Sequence, residues 1–270
     1  MSAASVLVAS VAHASPLVAP SGMDGAGLGM AASSVVRLWA DLGYVDWSKT
    51  TTLAPTVGVG VRVAPWLEIE TAAAYSRVSG DGFSEPLSGF GNVYLGARHL
   101  TLDGPVRSTV GVGVLIPTGD TSRDASLANL WGSMTDGLQH FELRRPEATI
   151  VVAPWHVETG ERVVLSLDGA LGFEHPTDGA RRSVDNYVYA HVAPGVAFRL
   201  STALLLGLRA PMLVVFNGDD REDNQFVIEP FVRATIRERG FVSLRLEFPV
   251  DDPAASLGGP MYVLGGGVAL

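Results

Sequence analysis

Alternation with a period of two runs through most of the chain, and it constrains the fold more than any other feature. Leu67-Glu68-Ile69-Glu70-Thr71-Ala72-Ala73-Ala74-Tyr75 puts larger or more apolar residues at odd positions and acidic or small ones at even positions. Val163, Leu165, Leu167, Leu171 and Phe173 alternate in the same way with Ser166, Asp168, Ala170 and Gly172. Val242, Leu244, Leu246 and Phe248 alternate with Ser243, Arg245 and Glu247; Phe226, Ile228, Val232 and Ile236 alternate with Glu229, Arg233 and Arg237. Successive side chains of a strand point to opposite faces, so each segment has one apolar face and one polar or small face. A helix would scatter Glu68, Glu229 and Arg245 among the apolar residues. No helix-period segment of useful length is found, and the chain reads as all-β.

Twelve such segments can be counted, at about 33–43, 53–64, 66–77, 89–100, 105–117, 147–157, 162–174, 186–199, 202–214, 225–237, 240–249 and 261–270. They are longer than the five or six residues of a usual soluble strand and match the roughly 9–11 needed to cross a bilayer at a tilt. Short connections at Ala64-Pro65, 102–104, 159–160, 200–201 and 239–240 alternate with long ones at 44–52, 78–88, 118–146, 175–185, 215–224 and 250–260. That alternation predicts a single transmembrane antiparallel up-and-down β-barrel over 33–270, with periplasmic turns and extracellular loops. An even strand count leaves both termini on the periplasmic side.

Aromatic residues sort with this topology. Trp66, Trp155 and Phe198 fall near periplasmic strand ends, and Tyr75, Phe173, Phe226, Phe248 and Tyr262 near extracellular ends, where rings favour the headgroup level. A β-sandwich would fill its second face with bulky residues, yet here that face carries Gly58, Gly60, Gly111 and Gly113 beside charges. A lipocalin-type barrel would invert the pattern.

Composition narrows the field further. The chain has 270 residues, 47% of them hydrophobic, and a mean hydropathy of +0.26. Yet no stretch of 18 apolar residues follows the first 20 positions, so strands must absorb the hydrophobicity. The absence of Cys excludes a disulfide framework, a thiolate metal site and a cysteine nucleophile. A net charge of -9 excludes nucleic acid as an expected partner, because neutralising phosphates needs clustered Lys and Arg. Residues 3–12 form an apolar run followed by Ala12-His13-Ala14, an A-x-A cleavage signal, so residues 1–14 are expected to be a signal peptide. No Lys or Arg precedes the run; the alternatives are a misplaced start codon or a buried apolar strand. Residues 15–32, rich in Gly, Ala and Pro, read as a flexible lead-in.

Gly89-Phe90-Gly91-Asn92-Val93-Tyr94-Leu95-Gly96-Ala97-Arg98, followed by Val110-Gly111-Val112-Gly113-Val114-Leu115-Ile116-Pro117-Thr118-Gly119-Asp120, resembles the Gly-rich strand pair of bacterial outer-membrane transporter barrels of the phenol-degradation-pathway type. The match covers roughly 35 residues. It departs from the family at Asn92, where Asp is usual, and at Leu270, where many outer-membrane barrels end in Phe. The resemblance implies transport of small solutes, hydrophobic ones included. Alternate apolar residues in the last strand (Tyr262, Leu264, Val268, Leu270) suit a signal to the barrel-assembly machinery, an expected partner beside outer-membrane lipid.

Twelve charged residues are expected to line the lumen: Arg37, Asp41, Arg62, Glu68, Glu70, Arg98, Asp168, Arg209, Glu229, Arg233, Arg245 and Glu247. They form either the wall of a solute channel or a salt-bridge plug that fills a closed barrel. Arg209, Arg233 and Arg245 come from neighbouring strands and are expected to form one basic stretch facing Glu68, Glu70 and Asp168. The longest loop, with Asp120, Asp124, Trp131 and His140, is expected to fold in and constrict the mouth. Asp120, Asp124 and Asp136 match no calcium-loop spacing and read as a solvated acidic loop. His156 lies toward the periplasmic end and His175 toward the outer end, apart from Ser166 and Asp168, and neither a nucleophile elbow nor a paired-His metal motif occurs. The expected function is a channel for passive solute passage, with no catalytic residues and no cofactor. A structural or adhesive plugged barrel and an outer-membrane barrel enzyme are the alternatives.

Overall fold

The computed structural model describes residues 35–47, 49–81, 83–101, 105–135, 141–145, 148–176, 186–216, 225–236, 239–250 and 260–270. The proposed signal peptide and lead-in lie outside them. Strand follows strand: β1 Val36–Trp47, β2 Thr50–Ala64, β3 Leu67–Gly80, β4 Leu87–Thr101, β5 Val106–Ile116, β6 Ala148–Thr159 and β7 Val163–Pro176. Then come β8 Tyr187–Arg199, β9 Leu204–Arg209, β10 Met212–Val215, β11 Gln225–Ile236, β12 Gly240–Pro249 and β13 Met261–Ala269.

β9 and β10 are two halves of one barrel strand, parted at Ala210-Pro211, where Pro211 has no N–H to give the ladder. The seam stays bonded around the break: Ala210 N–H donates to Pro194 O at 3.0 Å and Val227 N–H to Pro211 O at 2.9 Å. The barrel therefore has twelve staves, each antiparallel to the next. β13 pairs with both β12 and β1, with Arg37 opposite Ala269 and Tyr44 opposite Tyr262, so the sheet closes on itself without a free edge.

Alternation decides which face each residue takes. Outward residues are apolar and open to the surroundings: Ile69 is 50% exposed, Leu171 56% and Val110 60%. A continuous belt of such residues around every stave far exceeds the apolar patch a soluble monomer carries, and it fits a hydrocarbon surround. Trp66 and Phe198 stand exposed toward one rim, and Phe173, Phe248 and Tyr262 toward the other. Trp155 also faces outward, lying over Gly169 of the next stave. No described helix is long and apolar enough to cross a membrane.

Two of the expected long connections are shorter than expected. β1 and β2 pair as far as Trp47 opposite Thr50, so the expected loop over 44–52 is mostly strand. β-Branched Val45, Thr50, Thr51 and Thr52 favour that extension. The expected loop over 78–88 shortens likewise, since β3 runs to Gly80 and β4 begins at Leu87. The sequence also concealed a helix, α1 (Arg123–Thr135), and a 3-10 turn (Phe141–Arg144), both between β5 and β6. Ser122 caps α1, with Ala125 N–H donating to Ser122 Oγ at 3.3 Å, and Asp124 sits in the first turn near the positive end of the dipole.

Candidate functional site

Every second residue of a stave points into the barrel, and the charged ones form a belt around its interior. Arg37 and Asp41 of β1, Arg62 of β2, Glu68 and Glu70 of β3, and Arg98 of β4 lie on this face. So do Asp168 of β7, Arg209 of β9, Glu229 and Arg233 of β11, and Arg245 and Glu247 of β12. All but half-buried Arg62 are buried.

The pairs share a geometry. Arg37 Nη2 reaches Glu68 Oε1 at 2.5 Å and Glu70 Oε1 at 3.3 Å, passing from β1 to β3 over Gly60 of β2. Arg209 Nη2 reaches Asp168 Oδ2 at 3.1 Å, from β9 to β7 over Gly195 of β8. Arg245 Nη2 reaches Asp41 Oδ2 at 3.2 Å, from β12 to β1 over Gly265 of β13. Each pair thus spans two staves, and the stave between contributes a glycine. A Cβ at Gly60 would stand 2.8 Å from Glu68 Cδ, and one at Gly195 3.0 Å from Arg209 Cγ, so the glycines make the room in which the ion pairs lie. Trp39 joins the belt by donating from Nε1 to Glu70 Oε1 at 3.2 Å; Arg98 pairs with Glu70, and Arg209 Nη1 with Glu229 Oε1 at 3.2 Å.

This arrangement corrects the expected separation of charge. Arg209 bonds Asp168, one of the carboxylates expected to face it across the lumen, because β7 and β9 are only two staves apart. Arg245 is matched by Asp41, and Arg233 stacks over the Phe241 ring at 4.1 Å. Opposite charges are neighbours along the wall, so the field cancels locally. Asp168, Glu229 and Arg245 are fully buried among these paired partners.

His156 is a second correction. In the β6–β7 hairpin it stands opposite Asp168, and its Nδ1 is hydrogen-bonded to Asp168 Oδ1. Its Nε2 lies 3.7 Å from Glu158 Oε2. Thr159 pairs with Leu165, so the hairpin is centred on Arg162 and brings position 156 opposite 168; the turn expected at Thr159-Gly160 did not give this register. Ser166 Oγ makes no hydrogen bond to any described residue. His175, at the outer end, is bonded to Asn186 at 2.7 Å.

The segment between β5 and β6 enters the outer mouth. α1 lies against the inner face of β1 to β4, burying Ala125, Ala128, Asn129, Gly132 and Thr135. Asn129 Nδ2 donates to Phe90 O at 3.0 Å, and Trp131 packs against Val45 and Met261. Asp120 and Asp124 are exposed, and His140 lies outside the described residues. Asp120 accepts from Ser122 N–H at 2.8 Å and Oγ at 3.1 Å. Asp136 is not described, and no group of three potential metal ligands converges among the described residues.

The residues that fasten this segment escaped the sequence reading. Arg144 Nη2 donates to Ala54 O and to Thr56 Oγ1, each at 3.0 Å, and its Nε to Ser76 Oγ at 3.3 Å. On β8, Tyr189 OH donates to Glu142 Oε1 at 3.3 Å. The 3-10 turn therefore bridges the mouth from β2 and β3 to β8. Asn92 Nδ2 donates to Arg145 O at 2.7 Å and Ala148 O at 3.2 Å. A carboxylate could not donate there, which gives the departure from Asp at position 92 a physical role and was the one signal in the sequence pointing to this contact.

A closed barrel with an apolar exterior and a polar interior defines the class: this is a bacterial outer-membrane β-barrel. No family model and no curated protein matches the chain. Among solved structures it is similar in fold to an outer-membrane channel from Pseudomonas putida F1, at a TM-score of 0.62 and 13% identity over 88% of this chain and 96% of that one. It is also similar to the NanC porin, at 0.54 and 8% identity over 86% and 100%. The KdgM porin in complex with disordered oligogalacturonate aligns at 0.50 and 5% identity over 86% and 99%.

Proposed function

We propose that the chain is an outer-membrane channel for passive passage of small solutes, hydrophobic ones among them, closed here by its own interior. The ion-paired belt carries the reading. A barrel that only had to be filled would be as stable with apolar side chains, because ion pairs gain little once the cost of desolvation is subtracted. Charges along the wall are instead what a solute path uses once water enters it. The α1 segment supplies the closure, and the 3-10 turn holds to the wall largely by hydrogen bonds, which water can replace at modest net cost. Likeness of fold to channels and porins supports the same reading. Hydrophobic solutes come into it through the resemblance of residues 89–98 and 110–120 to phenol-degradation-pathway transporter barrels. Export directed by residues 1–14 and insertion by the barrel-assembly machinery complete it.

The complete burial of Asp168, Glu229 and Arg245 favours a second reading, a permanently plugged structural or adhesive barrel. An enzyme is less well supported: His156 stands between two carboxylates, and Ser166 Oγ makes no hydrogen bond to any described residue. Single-channel recording in planar bilayers separates the first two. Removing residues 122–138 should raise conductance without preventing assembly. A deleted form that assembles and conducts no more than the parent leaves the plugged barrel in its place.

A further inference from the structure

The two ends of the barrel differ in charge. At the end that holds the termini, the half-exposed inward charges among the described residues are all arginines: Arg62 on β2, Arg107 on β5 and Arg199 on β8. The inward carboxylates near them, Glu68 and Glu158, are buried, with Glu158 Oε1 3.9 Å from Arg107 Nη1. Arg162 and Arg239 are exposed at the same end, and Glu161 beside Arg199 is the one exposed side-chain carboxylate there among the described residues, so guanidinium groups outnumber the carboxylates that water meets at that mouth. At the opposite end, Asp46, Asp81, Glu85, Asp120 and Asp124 are exposed, against Lys49, Arg77 and Arg123. Between the two ends lies the belt, whose charges neutralise one another in pairs.

We propose that the barrel is electrically bipolar along its axis, with an anion-accepting arginine vestibule at the periplasmic mouth for small carboxylates or phosphates, and that it passes current asymmetrically. The inference rests on the channel reading and adds a direction to it. Charge at a low-dielectric mouth concentrates counter-ions there, and a ring of one sign selects ions of the other. Cations gather at the acidic outer end and anions at the basic inner end. A voltage positive on the outer side drives both enriched populations into the bore, whereas the opposite voltage drains both from it. Conductance is then higher for the first polarity.

The test uses refolded protein in planar bilayers, as the parent chain and with residues 122–138 removed. At equal and opposite voltages in symmetrical potassium chloride, each channel should carry about twofold more current in one direction. Inorganic phosphate should reduce current from one compartment only. In the Arg107→Glu, Arg199→Glu double variant both effects should disappear. Should that variant fail to fold, Arg62→Gln and the phosphate titration of the parent supply the same readouts. Equal current at both polarities, or equal action of phosphate from both sides, overturns the bipolar barrel while leaving the channel intact. A barrel that inserts and passes no current in either form removes the channel reading and this inference together.

Discussion

Arg245 shows what a single position contributes. Read from alternation alone it is a lumen residue, and Arg245→Ala should alter selectivity and little else. The structure pairs it with Asp41 at 3.2 Å, both without appreciable exposure. Removing one partner leaves a buried charge unmatched, at a cost of about 3–5 kcal/mol, whereas replacing both with apolar groups of similar volume is near neutral. Arg245→Met should therefore lower the urea midpoint of the refolded barrel, and adding Asp41→Leu should restore most of the loss. A double variant no more stable than the single one would show that the pair is not the relevant contact. The outward neighbour behaves differently. Leu244 is 44% exposed toward lipid, so Leu244→Arg should cost roughly 2–4 kcal/mol through the bilayer and should impair assembly in vesicles. Facing was legible residue by residue because it follows from period two. Partnership was not, because each long pair depends on a glycine in a stave far away in sequence: Gly265, for Arg245 and Asp41, lies more than two hundred positions from one of its charges.

At the scale of elements, strands were legible and the helix was not, for one physical reason. A strand facing lipid presents large apolar residues at every second position, a strong signal. α1 presents Ala125, Ala128, Asn129, Gly132 and Thr135 to the wall. These recur at helical spacing, but they are small or polar, so the face that packs is invisible to any search for hydrophobic periodicity. Small residues serve here because the helix backbone approaches the strands closely: a Cβ at Gly132 would stand 3.0 Å from Arg144 Cδ and collide with Ser76. Gly132→Leu should consequently expel α1 from the mouth while leaving the twelve staves paired. Limited proteolysis of intact cells should then cut within 118–146 faster than in the parent, with heat-modifiable gel migration retained. An unchanged cleavage rate would mean that the helix is not held by this face. The β6–β7 hairpin illustrates the other gap, since its register, and with it the His156–Asp168 pair, follows from the length of its turn and not from the pattern of either strand.

For the whole molecule, closure depends on β13. Twelve long alternating segments make an up-and-down barrel the economical solution, because any open sheet of this length would present two unpaired edges to hydrocarbon, where each unsatisfied backbone group costs several kcal/mol. β13 removes both edges at once by pairing Leu264 with Leu42 of β1 and with Leu244 of β12. It also carries Gly265, over which Arg245 and Asp41 meet, so the last strand completes the wall and the interior belt together. Removing residues 261–270 should therefore do more than shorten the chain. β1 and β12 would face lipid with open ladders, and the pair between Asp41 and Arg245 would lose the wall that it lies on. The truncated chain is expected to show no heat-modifiable species after refolding into vesicles and to remain extractable by urea, while the full chain resists both boiling-free denaturation and extraction. A truncated chain that still migrates as a compact, urea-resistant barrel would mean that eleven staves can close without β13, and the seam between β1 and β13 would then not be what holds the barrel shut.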